Sequence, residues 1–323
     1  MTHMTSVLVT APIPQAALNI LRQANLDVDC YNGHGLITKA ELLKRVVGKD
    51  YLITPLSTQV DRDIIDADPQ LKLIANYGAG FNNIDADYAR SRQIPVTNTP
   101  KVSTVSTAEV TAGLIIALTH RLVEGDRLMR DQGFDGWSPL FFLGHELAGK
   151  TLGILGMGQI GQAVAKRLAA FDMKIIYTQR HPLDATTAQA LHAQQVPLTD
   201  LVAQSDILTI HCPFTPETHH LLGAAEFKAM KDSAYLINAA RGSIIDEAAL
   251  LTALQQGQLA GAALDVYEAE PHVDAGFKAL DNVILTPHVG NATVEARDAM
   301  ATIVAKNAVR VDQGQAPLYI VNP

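Results

Sequence analysis

The chain has 323 residues, room for about two domains at roughly 100–200 residues each. Its 48% hydrophobic and 18% charged residues, with 22 glycines and 15 prolines, exclude a disordered or collagen-like polypeptide. A net charge of −8 with no run of lysines and arginines argues against nucleic acid as a partner, because such partners need a sequence-independent grip on phosphates.

Cys30 and Cys212 form neither a disulfide framework nor a metal-spaced pair, which favours a reducing compartment. The first residues show no basic stretch followed by an apolar one. The longest apolar run, Ala112 to Leu118, is far short of the roughly 20 residues a membrane span needs. The expectation is a cytoplasmic chain with neither a membrane nor a metal site.

In chain order, Ser6 to Thr10, Leu26 to Cys30, Tyr51 to Thr54, Leu71 to Ala75 and Ile94 to Thr97 predict strands, with helices between them. In Pro14 to Ala24, for example, Ala17, Ile20 and Leu21 share one face. Thr107 to Arg130 has apolar residues at 110, 114, 117, 118 and 122, the spacing of one long helix. A second strand set follows: Thr151 to Leu155, Met173 to Tyr177, Asp206 to Ile210, Ala234 to Asn238, Gly261 to Val266 and Val283 to Thr286. Six strands is the count of a dinucleotide-binding sheet. Thr293 to Asp312 predicts a last helix that returns to the first domain. The class is α/β, with residues 102–291 inserted between 1–101 and 292–323.

The strongest motif is Gly156-Met-Gly158-Gln-Ile-Gly161, between an apolar strand and an amphipathic helix. Gly156 permits the tight turn, Gly158 lets backbone approach a pyrophosphate, and Gly161 allows close helix–strand packing. Gln159 and Ile160 then open the helix whose N-terminus faces the phosphates. The second strand ends Tyr177-Thr-Gln-Arg-His181, without the carboxylate that would bind a ribose diol. Arg180 in that place suits a 2′-phosphate, so NADP is preferred over NAD. Its alternative reading is an exposed loop cation.

Three segments put polar residues at the carboxyl ends of strands, where open α/β sheets bind ligands: Ile237 to Ser243 with Arg241, Ala263 to Pro271 with Asp265 and Glu270, and Leu285 to Ala292 with His288. They supply a guanidinium fork for a carboxylate, an acid, and an imidazole that exchanges protons. That set suits reduction of a 2-oxo acid. Taken singly, Arg241 reads equally as an ion-pair partner, Glu270 as a turn residue and His288 as a loop histidine. Ser57 and Ser243 have no adjacent base, which weighs against hydrolase chemistry. His211 reads as structural, His219-His220 as a solvated pair in a turn, and His3 and His34 as lacking any partner spacing.

Together the motifs resemble the D-isomer-specific 2-hydroxyacid dehydrogenase family over nearly the whole chain. They are Asn76 to Asp85, Val96 to Pro100, the glycine loop, His211-Cys-Pro213 with Thr215 to Thr218, Asn238 to Gly242, Asp265 to Pro271, and Thr286 to Gly290. The resemblance implies that Arg241 binds the substrate carboxylate and polarises the ketone. His288 would be general acid or base, with Glu270 as its partner. Substrate would also meet the backbone at Ala79 and Gly80, and Ser57. Asp265 would contact the nicotinamide carboxamide, with Pro213 and Ala239 lining that end of the cofactor and Thr107 and Gly290 completing its contacts. Val105 and Gly290-Asn291 depart from the common pattern.

The stretches Tyr177 to Pro182 and Leu56-Ser57 look like the glyoxylate and hydroxypyruvate reductase branch. The implied architecture is a Rossmann domain inserted into a flavodoxin-like substrate domain, with a cleft between them and a homodimer built through 107–130. Other substrates stay open: 3-phosphoglycerate, 2-ketogluconate, or a bulky acid such as phenylpyruvate. A non-catalytic, dinucleotide-sensing corepressor is the remote alternative. Glu270, where formate dehydrogenases use glutamine, weighs against that branch.

Overall fold

The computed structural model describes residues 4–323. Two compact units emerge: one runs to Ser103 and resumes as Ala292–Pro323, and the other is Thr104–Asn291.

The first unit holds a parallel sheet of β1 (Ser6–Val9), β2 (Asp27–Cys30), β3 (Tyr51–Pro55), β4 (Leu73–Tyr77) and β5 (Val96–Thr97) in the order β2-β1-β3-β4-β5. This is the flavodoxin-like order. β1 and β4 are buried at every position because helices cover both faces of the sheet. The helix Val294–Asp312 starts at Thr293, whose hydroxyl accepts from the Ala296 N–H. It buries Met300, Val304 and Ala308 in the cluster that also takes Ala17 and Leu21 from the helix Gln15–Gln23.

The second unit holds β6 (Thr151–Leu155), β7 (Lys174–Thr178), β8 (Ala193–Gln195), β9 (Ile207–Ile210), β10 (Tyr235–Asn238), β11 (Gly261–Leu264) and β12 (Val283–Leu285), all parallel. Their order is β12-β11-β10-β9-β6-β7-β8. Strand order reverses between β6 and β9, and this is where such sheets open a crevice for a dinucleotide.

Seven strands replace the six expected. β8 is a three-residue edge strand with no buried side chain, so no apolar run announces it. The single helix expected over 107–130 is two, Thr104–Thr119 and Leu122–Asp131. Arg121 between them has φ 55°. The stop is a tertiary effect: the Thr119 carbonyl accepts from the His145 N–H at 2.8 Å. Arg121 meanwhile grips Glu124 and lies 4.1 Å over the Phe142 ring. The apolar spacing continues across the break, so it could not reveal one.

Candidate active site

β10, β11 and β12 are neighbours in the second sheet, and the chain leaving each carries one chemical group. After β10, the buried Asn238 side chain accepts from Ala240 N–H and donates to the Arg241 carbonyl, closing the turn that presents Arg241. The Arg241 guanidinium donates to the Ala240 carbonyl at 2.6 Å, and among the described residues no carboxylate comes within salt-bridge reach of it. Burial lowers its pKa, an effect opposed by the charge of Glu270. Most of its five donors are thus left for a ligand.

After β11, Glu270 Oε1 accepts from the Tyr267 N–H at 3.0 Å and Oε2 lies 2.9 Å from His288 Nδ1. Burial alone would raise the Glu270 carboxyl. The hydrogen bond and charge of His288, the Tyr267 N–H and the charge of Arg241 outweigh it and hold the group below its ordinary value.

After β12, His288 has φ 54°. A non-glycine residue keeps such a conformation only where its surroundings over-determine it. Asp265, fully buried, does so: Oδ1 accepts from the Thr286 hydroxyl and Val289 N–H, and Oδ2 from Gly290 N–H. A side chain on Gly290 would press on Asp265 and Thr107, and Ser106 donates to its carbonyl. Asp265, expected as a cofactor contact, therefore also anchors the histidine turn. The sequence placed it in the right motif without revealing this task.

At the switch between β6 and β9 the glycines are accounted for by space. Gly156 has φ +96°, and a Cβ there would lie 2.4 Å from Cys212 N; one on Gly161 would lie 2.3 Å from the Gly156 carbonyl. A Cβ on Gly158 would meet nothing within 4 Å, leaving room beside the uncapped N-terminus of the helix Gln159–Leu168. That cradle fits a pyrophosphate, with Gln159 and Ile160 in its first turn.

Gln179, unremarked in the sequence, reaches back to accept from Met157 N–H at 3.1 Å. Arg180 beside it is exposed, and its charge is among the influences lowering the Glu217 carboxyl, after Thr215. Pro213 follows β9, where its carbonyl accepts from the Thr218 hydroxyl, and Ala239 sits in the turn that Asn238 closes. Burial pushes the His211 imidazole down to about 3, and its Nε2 pairs with the Thr209 hydroxyl. It also pushes the Cys212 thiol up to about 11, away from a reactive thiolate.

In the first unit Ser57 follows β3 and the loop 78–80 follows β4. Asn76 Nδ2 donates to the Gly78 and Gly80 carbonyls, Asn98 Nδ2 to that of Ala79 and Thr99 N–H to that of Gly78. With these carbonyls tied, the loop is held in one conformation.

A glycine-loop sheet whose last three strands carry an arginine, a glutamate and a histidine defines a nicotinamide-dependent oxidoreductase of hydroxy and oxo acids. The comparisons agree. A sequence model of the D-isomer specific 2-hydroxyacid dehydrogenase NAD binding domain matches residues 112–290. A Staphylococcus haemolyticus protein assigned to the 2-hydroxyacid dehydrogenases is 51% identical over 319 residues, covering 99% of this chain and 100% of its own.

Among solved structures, a Thermus thermophilus protein superposes with a TM-score of 0.93 at 41% identity, covering 98% of this chain and 100% of that one. The NADPH-dependent glyoxylate/hydroxypyruvate reductase of Sinorhizobium meliloti, solved with NADP and malonate, gives 0.84 at 32% identity over 99% and 97%. This chain belongs to the D-isomer specific 2-hydroxyacid dehydrogenase family and is an oxidoreductase. Among the described residues no helix is long and apolar enough to cross a membrane.

Proposed function

We propose that the chain reduces a small 2-oxo acid, glyoxylate or hydroxypyruvate, to the D-2-hydroxy acid, with NADPH preferred over NADH. The observation that carries this is Arg241: a partly buried guanidinium with no carboxylate partner among the described residues, beside a paired histidine and glutamate. A substrate carboxylate supplies the missing anion bidentately, which brings the ketone oxygen to the imidazole and polarises it. Bound nicotinamide dinucleotide supplies the hydride.

Glu270 at Nδ1 leaves Nε2 as the proton-bearing atom facing substrate. Nε2 protonates the developing alkoxide, and in the oxidation direction the same atom takes the proton back. Asp265, Pro213, Ala239, Thr107 and Gly290 serve the nicotinamide end, and Arg180 the 2′-phosphate. The Sinorhizobium neighbour, NADPH-dependent by name, supports that preference.

The test is the initial rate of nucleotide oxidation with glyoxylate, hydroxypyruvate, pyruvate, 2-ketogluconate and phenylpyruvate, each with NADPH and with NADH. Turnover of the two- and three-carbon acids with NADPH is expected. Arg180→Ala should raise the NADPH KM about tenfold, the size of one charge-assisted contact, without raising that for NADH. A preference for NADH, or for a bulky acid alone, overturns the specificity.

The assembly we propose is a homodimer. Leu122, Met129, Phe134, Trp137 and Leu140 are all more than half exposed along one continuous stretch of the second unit. A monomer mass by sedimentation equilibrium would overturn it.

A further inference from the structure

His219 and His220 are an exposed pair in a turn, as expected, and the structure adds their partners. Their rings stack at 4.0 Å, and His220 Nε2 lies 2.5 Å from Glu268 Oε1. His220 is also tied through its backbone, its N–H donating to the Ser243 carbonyl at 2.9 Å. It therefore touches two of the three segments that carry Arg241, Glu270 and His288. One contact is two residues past Arg241, and the other two residues before Glu270.

The second contact falls where the Glu270 carboxylate is set. That carboxylate accepts from the Tyr267 N–H, so its direction toward His288 follows the backbone at Tyr267, whose far side is the Tyr267–Glu268 peptide. The peptide is pressed against Gly242, where a Cβ would lie 1.9 Å from the Tyr267 carbonyl carbon. On the tyrosine side it is fixed by the Tyr267 hydroxyl, which donates to the Leu264 and Thr286 carbonyls. On the glutamate side it is held by Glu268 N–H donating to Glu247 Oε1 at 2.8 Å and by the His220–Glu268 contact. Glu247, at the start of the helix Glu247–Gln255, adds its charge to those of Glu268 and Glu270, and His220 pairs with Glu268.

We infer that His220, acting through Glu268, is a positioning residue that sets the angle of the Glu270–His288 pair; this rests on the catalytic reading above. Its contribution to the fold itself is small, because both side chains are about a third exposed and such pairs are weak in water. Its contribution to rate is larger, because small misplacements of a proton-transfer group are costly.

The test compares His220→Ala, His220→Gln, Glu268→Ala and the double alanine variant with the parent enzyme, and uses His288→Ala as a reference. Expected are a kcat about tenfold lower in His220→Ala, dinucleotide KM within about twofold and an unchanged Tm. His220→Gln, which keeps a donor, should recover most of the rate. The double variant should be no slower than either single one, since one contact is lost once. A kcat for His220→Ala close to the parent value, while His288→Ala is inactive, overturns the inference and leaves the catalytic reading standing. So does a rate loss that tracks a fall in Tm and is not rescued by glutamine, or losses that multiply in the double variant. Normal turnover in His288→Ala overturns both.

Discussion

Replacing His288 by alanine lowers kcat for 2-oxo acid reduction by at least about a hundredfold, the lower end of what a positioned proton donor contributes. Dinucleotide affinity stays within about twofold, because the glycine loop 156–161 lies at the β6–β9 switch and His288 follows β12 at the edge of the sheet. Stopped-flow single turnovers and a dinucleotide titration separate the two. Near-normal single-turnover rates would remove His288 from the proton path.

The same variant carries a signature at acid pH. In the folded chain the Glu270 carboxyl is held below its ordinary value, largely by His288 working against burial. A depressed carboxyl stabilises the fold at pH above its unfolded value, and the stabilisation is lost as pH falls through the folded one. Without His288 burial is opposed more weakly, so the Glu270 carboxyl rises toward its unfolded value; in urea titrations the variant is less stable than the parent near neutral pH but loses less as pH falls through the carboxylate range, and the two profiles converge at acid pH. Coincident profiles would show that the Glu270–His288 contact is not made in solution.

Substitution of Arg241 by lysine lowers kcat/KM for the 2-oxo acid by about a hundredfold or more, with a raised KM, although the charge is kept. The guanidinium already spends one donor on the Ala240 carbonyl and needs a planar fork to meet a carboxylate with the rest. An ammonium at that depth is also more strongly hydrated and less readily buried. Steady-state kinetics with glyoxylate and hydroxypyruvate decide the matter. An unchanged KM in the lysine variant would move the carboxylate away from Arg241.

Much of the geometry of the candidate site was legible because its residues sit in short motifs. Gly156, Gly158 and Gly161 are dictated by local backbone and by atoms within van der Waals reach, so their spacing alone announces a strand-turn-helix. Arg241, Glu270 and His288 lie just past apolar strands, and the parallel order that makes β10, β11 and β12 neighbours brings their ends together. The contacts of Gln179 and His220 were not legible, because each bonds a partner far along the chain. Gln179 bonds 22 positions away and His220 bonds 48 positions away. No periodicity or spacing encodes such a contact.

The sequence by itself determined the α/β class, the glycine turn and the arginine, glutamate and histidine that follow the last three strands, since these follow from residue type and local pattern. Only the tertiary structure decided that the helix from Thr104 stops at Thr119, that an edge strand with no apolar signal pairs beside β7, and that a buried Asp265 holds His288 in a left-handed turn. The physical reason is common to all three. Each is fixed by hydrogen bonds between segments far apart in the chain, whose partners exist only once the sheet has assembled.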